Sequence, residues 1–244
     1  MNIPLFLFCG GASIHGMDLP KPLMKIRGGK SLLSYFLIHI QHYRPSMPSS
    51  ITLLCDTGQE EAFEADLRGF SYPVPIRIQA CGHRTSTFEK FTWALRENAS
   101  LGSPVQFGYP DIFSFEDFTE PPKEAWVLDS SIHISAAALT SRFPRLIVDV
   151  YSNKIKGISN YTSSVPANPM YVFGGDMWGK FDQLLALTEE FLAHTSTHSP
   201  SLEFDFFSWL VNLDMMNCQM MYGERMWVDS SRDVNMLLAK TGEV

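Results

Sequence analysis

Two adjacent glycines and a later lysine are the first residues in the chain that could do chemistry. Gly10 and Gly11 follow an apolar run, and Lys21 lies further along between two prolines. Glycine lets backbone N–H groups approach a ligand closely, and a lysine ammonium pairs with phosphate oxygens. The pattern is typical of a triphosphate-binding loop, although a strand-to-helix turn with a surface lysine would contain the same residues.

Two further segments carry polar groups next to predicted strands. The segment Cys81–Thr87 precedes a predicted helix, where hydroxyl side chains commonly act as caps. Asp111 follows a predicted strand, and ligands of open α/β sheets bind where parallel strands end. An aspartate in a loop is also a common turn residue, so both interpretations of Asp111 stay open at this point.

Alternating strand and helix patterns must position these residues. In the first half of the chain we predict strands over Ile3–Cys9, Ile51–Cys55, Val74–Gln79 and Val105–Tyr109, and helices over Ser31–Tyr43, Glu60–Leu67 and Thr87–Asn98. In the second half we predict strands over Ala125–Leu128, Arg145–Tyr151, Lys156–Tyr161, Met170–Phe173, Gln219–Tyr222 and Arg225–Val228, and helices over Phe181–Ala193, Leu202–Leu213 and Ser231–Lys240. The leading β-α-β-α-β order predicts an α/β fold with a parallel sheet.

The opening of the chain resembles the signature of the sugar-1-phosphate nucleotidylyltransferases, in which a strand is followed by G-G-x-G-T-R, a short loop and K-P. The match covers Cys9-Gly-Gly-Ala-Ser-Ile-His-Gly16 and Lys21-Pro22. The resemblance implies that Gly10 and Gly11 wrap the triphosphate of a bound nucleotide and that Lys21 binds it. The remaining nucleotide-binding candidates in this opening are Cys9, Ala12, Ser13 and Lys25.

This opening departs from the family pattern at three positions. Ser13 replaces the third glycine, Ile14 replaces the threonine, and His15 replaces the arginine that steadies the leaving pyrophosphate. His15 is the second catalytic candidate beside Lys21, but imidazole is mostly neutral at pH 7 and lacks the guanidinium fork. The departures leave open a slow, specialised or non-catalytic nucleotide-binding relative.

The segment Cys81–Thr87 resembles T-G-x-x-T-x-T of the glucose-1-phosphate cytidylyltransferases, which lies beside the nucleotide. Gly82, Thr85 and Thr87 match that motif, and Cys81 replaces its first threonine. The resemblance implies nucleotide binding by these three residues and favours CTP over other nucleoside triphosphates.

Two aspartates match the metal-binding carboxylates of the sugar-1-phosphate nucleotidylyltransferases. Asp111 corresponds in position to the first, and Asp229 lies in Met226–Asn235, which resembles the late W-x-D-x-G-T or M-D-T-x-R-D-x-N segment. Carboxylate oxygens suit Mg²⁺, so the resemblance implies a magnesium cofactor held by these two residues. Asp229 could also act as the N-cap of the last helix, and both roles could hold together.

The resemblance as a whole implies an enzyme that transfers a nucleotidyl group from an NTP to a phosphorylated acceptor and releases pyrophosphate. It implies a single Rossmann-like nucleotidyltransferase domain over residues 1–244, with a mostly parallel central sheet and helices on both faces. The family's acceptor-binding lysine is absent and Pro169 displaces a glycine, so Lys154 or Lys156 could take over. The acceptor therefore need not be an ordinary hexose 1-phosphate. A glycosyltransferase is a weaker alternative because the chain contains no Asp-x-Asp pair.

Composition limits the other classes of function. The net charge is −7 and no long basic run is present, which argues against nucleic acid as a partner. The four cysteines show no C-x-x-C pair, so we expect reduced thiols and a cytoplasmic protein. No segment is long and apolar enough to predict a membrane span. A role in polysaccharide assembly and a homo-oligomeric state are further expectations from the family.

Overall fold

The fold is that of a computed structural model, which describes residues 3–10, 19–43, 47–99, 104–115, 131–138, 145–159, 171–221 and 223–242. The chain divides into two compact units. Unit 1 comprises Met1–Ser86, Gly108–Phe118 and Gly223–Val244, and unit 2 comprises Thr87–Phe107 and Thr119–Tyr222.

Strands and helices alternate through the first part of the chain and then give way to a strand-rich middle. In chain order the elements are β1 (Leu5–Phe8), α1 (Leu32–Tyr43), β2 (Ile51–Cys55), α2 (Glu60–Leu67), β3 (Ile76–Ala80), α3 (Thr87–Glu97), β4 (Val105–Gly108), β5 (Ile112–Ser114), β6 (Ile132–Ala138), β7 (Arg145–Asp149), β8 (Lys154–Ser159), β9 (Tyr171–Gly179), α4 (Phe181–His194), α5 (Phe207–Asn212), β10 (Met216–Met221), β11 (Arg225–Trp227) and α6 (Ser231–Lys240).

Unit 1 contains three parallel strands in the order β3-β2-β1, with Leu5 paired to Ile51 and Ile51 to Ile76. Every residue of β1 and β2 is buried, which explains why Thr52 is the one polar residue in these two strands. Ser31 caps α1, because its Oγ accepts the N–H of Ser34 at 2.9 Å. One hydrophobic cluster joins β1, β2, α1 and α6, so the unit has a core of its own.

Unit 2 contains a closed ring of five strands. The ring runs β9-β6-β10-β8-β7 and returns to β9. Only the β6–β10 pair in this ring is parallel; the other four pairs are antiparallel. An aromatic cluster forms part of the core of this unit, with ring centroids 5.4 to 6.4 Å apart: Phe88, Phe91, Phe191, Phe206 and Trp209.

The predicted α/β class is confirmed, and the first three predicted strands are parallel as expected. The prediction of a mostly parallel sheet is wrong for unit 2, where antiparallel pairs dominate. The strand β6 was not predicted, since its sequence Ile-His-Ile-Ser-Ala-Ala-Ala is poor in strand-forming residues after its start. The predicted helix Leu202–Leu213 begins as a π-helical turn over Leu202–Phe206 and continues as α5.

The described residues do not test every predicted feature of the fold. The predicted strand Ala125–Leu128 lies outside the described residues. A single domain over residues 1–244 and helices on both faces of the sheet stay predictions.

All four cysteines are buried and form no disulfide in the described residues, and the predicted reduced state of the thiols stays a prediction. Among the described residues, no helix combines the length and the apolar character that a membrane crossing requires.

Candidate functional site

The Lys21 ammonium lies between two carboxylates that are far apart in the sequence. Its Nζ donates to Oδ2 of Asp111 and to Oδ1 of Asp229. The three side chains retain 16%, 21% and 26% of their exposure, respectively, so they are mostly covered but can still be reached from solvent. The structure thus brings together the predicted triphosphate-binding lysine and both predicted metal-binding aspartates.

The backbone around Lys21 is fixed by its neighbours. Lys21 begins a three-residue 3-10 turn, Lys21–Leu23, with Pro20 before it and Pro22 inside it. The N–H of Leu23 donates to the carbonyl of Pro20 at 2.9 Å. Proline restricts φ to about −65°, and both Pro22 and Leu23 are buried. The lysine side chain therefore extends from a rigid, anchored turn.

A short antiparallel ladder brings the two aspartates side by side. Strands β5 and β11 pair with Ile112 opposite Trp227. The ladder continues one step further, because the N–H of Val228 donates to the carbonyl of Asp111 at 2.9 Å. Asp111 immediately precedes β5 and Asp229 follows shortly after β11, so backbone pairing places both residues at the same end of the ladder.

The alternative role of Asp229 as a helix cap is wrong, because Ser230 caps α6. The Ser230 Oγ accepts the N–H of Asp233 at 3.3 Å. The Asp233 carboxylate reaches back and accepts the N–H of Asp229 at 3.0 Å and the Ser230 hydroxyl at 2.8 Å. This reciprocal cap holds the backbone of Asp229 in place. The Asp229 carboxylate accepts from Lys21.

Burial and charge shift the pKa values of this cluster. Burial raises the pKa of the Asp111 carboxyl, and the nearby Asp229 carboxylate adds to the rise, while Lys21 opposes it. For Lys21, burial alone would lower the pKa, but the two carboxylates together raise it above its ordinary value. Lys21 is therefore charged at neutral pH. When both carboxyl groups are ionised, one ammonium cannot neutralise them, and the cluster then carries excess negative charge.

The residues of this cluster fit a divalent cation. Two carboxylate oxygens on separate segments already bond to one cationic group, and oxygen ligands are those that Mg²⁺ prefers. No group of three or more His, Cys, Asp or Glu side chains suited to a metal occurs among the described residues. Mg²⁺ commonly uses one or two protein carboxylates together with substrate phosphates and water, so two aspartates suffice.

The loop that carries Gly82 and Thr85 bonds to an aspartate that sequence reasoning missed. Oδ1 of Asp56 accepts both the N–H of Thr85 at 3.1 Å and its hydroxyl at 2.8 Å. Thr57 and Gly82 also bond, since the N–H of Thr57 donates to the carbonyl of Gly82 at 2.7 Å. The hydroxyl of Thr85 therefore fixes the loop. Asp56 follows directly after β2, the same strand-end position that singled out Asp111, and that signal could have identified it.

The other described nucleotide-binding candidates lie in different surroundings. Cys9 is fully buried in the core, and Gly10, next to it, is partly exposed. Lys25 donates to Asp66 at 2.6 Å rather than to the Lys21 cluster. Thr87 is the first residue of α3. Their predicted contacts with a nucleotide stay predictions.

Part of the predicted site lies outside the described residues: Gly11, Ala12, Ser13 and His15. Pro169 lies outside them as well. The two candidate acceptor lysines are in unit 2 and share one partner, because Lys154 and Lys156 lie 3.5 and 3.9 Å from carboxylate oxygens of Asp214.

Solved structures with the same fold align over almost the whole chain. The inositol-1-phosphate CTP transferase from T. maritima aligns with a TM-score of 0.71 at 15% identity, covering 99% of this chain and 96% of that one. The UTP-bound UGPase from Acinetobacter baumannii has a TM-score of 0.71 at 12% identity, covering 99% and 94%. A 4-diphosphocytidyl-2C-methyl-D-erythritol synthase from Anaerococcus prevotii has a TM-score of 0.65 at 13% identity, covering 99% and 96%.

No protein-family model and no curated protein matches the chain in sequence. The similarity is therefore one of structure. The chain has the fold of the sugar-phosphate nucleotidyltransferases, the family whose signature its sequence resembles.

Proposed function

We propose that this chain transfers a nucleotidyl group from an NTP to a phosphorylated small-molecule acceptor and releases pyrophosphate. The observation that carries this proposal is the convergence of Lys21, Asp111 and Asp229. The resemblance assigns triphosphate binding to the first residue and metal binding to the other two. Three unrelated chain segments with separately assigned roles thus meet at one point, within a fold whose solved examples include transferases of this type.

The proposed reaction needs no nucleophile from the protein. A phosphate oxygen of the acceptor attacks the α-phosphorus of the NTP, the bond from that phosphorus to the β-phosphate bridging oxygen breaks, and pyrophosphate leaves. Lys21 binds the triphosphate and offsets its negative charge. Asp111 and Asp229 would hold Mg²⁺, which when bound draws charge from the phosphate oxygens. Gly10 and Gly11 would let backbone amides approach the same phosphates.

CTP is the nucleotide that we propose, on the basis of the Cys81–Thr87 loop. Thr85 supports this role indirectly, since its hydroxyl bonds to Asp56 and so fixes the loop. The names of two of the structural neighbours refer to CTP or to a cytidyl group, whereas a third is described as UTP-bound. Another solved structure with this fold is complexed with GMP-PN, so the neighbours do not single out a base, and the proposal of CTP rests on the loop.

A screen for pyrophosphate release tests the proposal. The four NTPs would be combined with sugar 1-phosphates, inositol phosphates and other phosphorylated alcohols in the presence of MgCl₂. We expect release above background for at least one pair, with CTP the best donor. Tight NTP binding without turnover for any acceptor would favour a non-catalytic relative, the second candidate, to which the departures His15 and Pro169 point.

A further inference from the structure

We propose that Lys21 acts as an internal counter-ion which competes with the divalent cation for Asp111 and Asp229, so that the metal binds well only when a nucleotide triphosphate takes over the lysine. This inference rests on the proposed function and concerns how the same site is loaded. The lysine would have two alternative partners, the aspartates in the free protein and the phosphates in the complex.

The charge of the cluster calls for a cation between its two carboxylates. Lys21 donates to both carboxylates at once, and the three side chains are mostly covered. Two carboxylates held so close repel each other strongly unless a cation lies between them. In the free protein the ammonium of Lys21 fills that need. A cation that binds the same two oxygens must first displace the ammonium.

A Lys21 ammonium displaced from the aspartates needs a new anionic partner. Lys21 lies in a 3-10 turn between Pro20 and Pro22, with Pro22 and Leu23 buried, so we expect its side chain rather than its backbone to change partner. A mostly covered ammonium without an anion is costly, so displacement by the metal alone is unfavourable. A triphosphate supplies new anionic partners for the ammonium. After this change of partners the Lys21 ammonium pairs with the triphosphate, and the metal ion pairs with Asp111 and Asp229. Each of these charged groups then has a partner of opposite charge.

The consequence is coupling between two ligands. If the triphosphate relieves the competition for the aspartates, it must tighten metal binding, and by reciprocity the metal must tighten nucleotide binding. Couplings of this kind typically change affinity by about 5- to 150-fold. The free protein would thus be protected from binding metal before its substrate arrives.

The test measures Mg²⁺ binding without any nucleotide, by calorimetric titration and by the shift in melting temperature. Wild type would be compared with Lys21→Met, which removes the competing charge but keeps the side-chain length. Lys240→Met is the matched control, because Lys240 also pairs with a carboxylate in unit 1, that of Glu224, away from the cluster. Lys21→Gln provides a second variant if Lys21→Met does not fold.

We expect Lys21→Met to bind Mg²⁺ roughly 5- to 150-fold more tightly than wild type. Adding Mg²⁺ should also raise the melting temperature of Lys21→Met more than that of wild type. Lys240→Met should match wild type in both measurements. Equal or weaker Mg²⁺ binding by both Lys21 variants would overturn the proposal. This measurement does not depend on catalysis. If the Lys21 variants bind Mg²⁺ more tightly but no pyrophosphate is released with any acceptor, the proposed function fails and this inference stands.

Discussion

The backbone N–H of Val228 donates to the carbonyl oxygen of Asp111 at 2.9 Å. This bond extends the β5–β11 ladder by one residue and places Asp229 next to Asp111, although the sequence separates them widely. The distance between the two carboxylates is therefore set by strand pairing rather than by flexible loops. A site built on paired strands is more rigid than one built on loops alone.

Replacing one carboxylate of the cluster should not destabilise the protein. With Lys21 between two carboxylates, Asp111→Asn removes a repulsive charge and leaves the lysine paired to Asp229. We expect the free energy of unfolding at pH 7.5, without metal, to stay within about 1 kcal/mol of wild type or to rise. Thermal or urea denaturation measures this, and a loss of several kcal/mol would show that the second carboxylate is needed for folding.

The Asp56 contact predicts how the Thr85 hydroxyl acts. Thr85→Val removes one of two hydrogen bonds to Oδ1 of Asp56 and should cost about 1 kcal/mol of stability. The same change should narrow the difference in affinity between CTP and the other NTPs, measured by calorimetry. Thr85→Ser keeps the hydroxyl and should behave like wild type. If Thr85→Val keeps the wild-type nucleotide preference, the Thr85 hydroxyl does not contribute to recognition of the base.

Gly82 has a positive φ of 107°, and a Cβ there would lie 3.0 Å from Cγ2 of Thr85. Gly58 has a similar φ of 92° but nothing within 4 Å of an added Cβ. Gly58→Ala should therefore cost about 1 kcal/mol from backbone strain alone. Gly82→Ala should cost more, because Thr85 must also move. Denaturation of both variants gives the comparison, and equal losses would mean that the loop adjusts freely.

His39 should make the stability of the protein depend on pH. Burial lowers its pKa, with the neighbouring His42 acting in the same direction, against the opposing bond from Nε2 to the carbonyl of Ser114 at 2.7 Å. Its ring lies against Tyr43, Phe113 and Phe115, and the ammonium of Lys240 lies over the Phe115 ring. The surroundings thus favour a neutral imidazole in the folded protein.

The sign of the pH effect follows from linkage. In the unfolded chain His39 takes up a proton as the pH falls through its ordinary pKa of 6.5, whereas the folded protein resists it. Stability should therefore fall as the pH is lowered from 7 toward 5. His39→Gln keeps a donor for the Ser114 carbonyl and removes the titration, so this fall should become smaller. An identical pH profile of the melting temperature in both proteins would contradict the assignment.

Much of the site was predictable from the order of its motifs. The glycine–lysine opening, Asp111 and Asp229 were singled out by position, and the structure brings Lys21 to both aspartates. Strand β11 agrees with the predicted strand Arg225–Val228, but β5 was not predicted, because a three-residue strand is too short to show alternation. The pairing of β5 with β11 therefore could not be predicted.

Other features escaped prediction because they depend on long-range contacts. Nothing local distinguishes Thr85 as the partner of Asp56, since a hydroxyl before a helix is usually a cap. The antiparallel ring of unit 2 was also missed. Its strands are joined by pairings between distant segments, such as β6 with β10, and a local pattern contains no information on their direction.

The most direct test of the central claim is pyrophosphate release by wild type and by aspartate variants, with CTP, MgCl₂ and the best acceptor from the screen. Asp111→Asn and Asp229→Asn should each reduce the rate by roughly 100-fold or more, because charge stabilisation at the reacting phosphates is lost. Glu189→Gln removes an exposed carboxylate that pairs with Arg96, so it is the control and should keep the wild-type rate. If both aspartate variants released pyrophosphate at the wild-type rate, the proposed role of Asp111 and Asp229 would be contradicted.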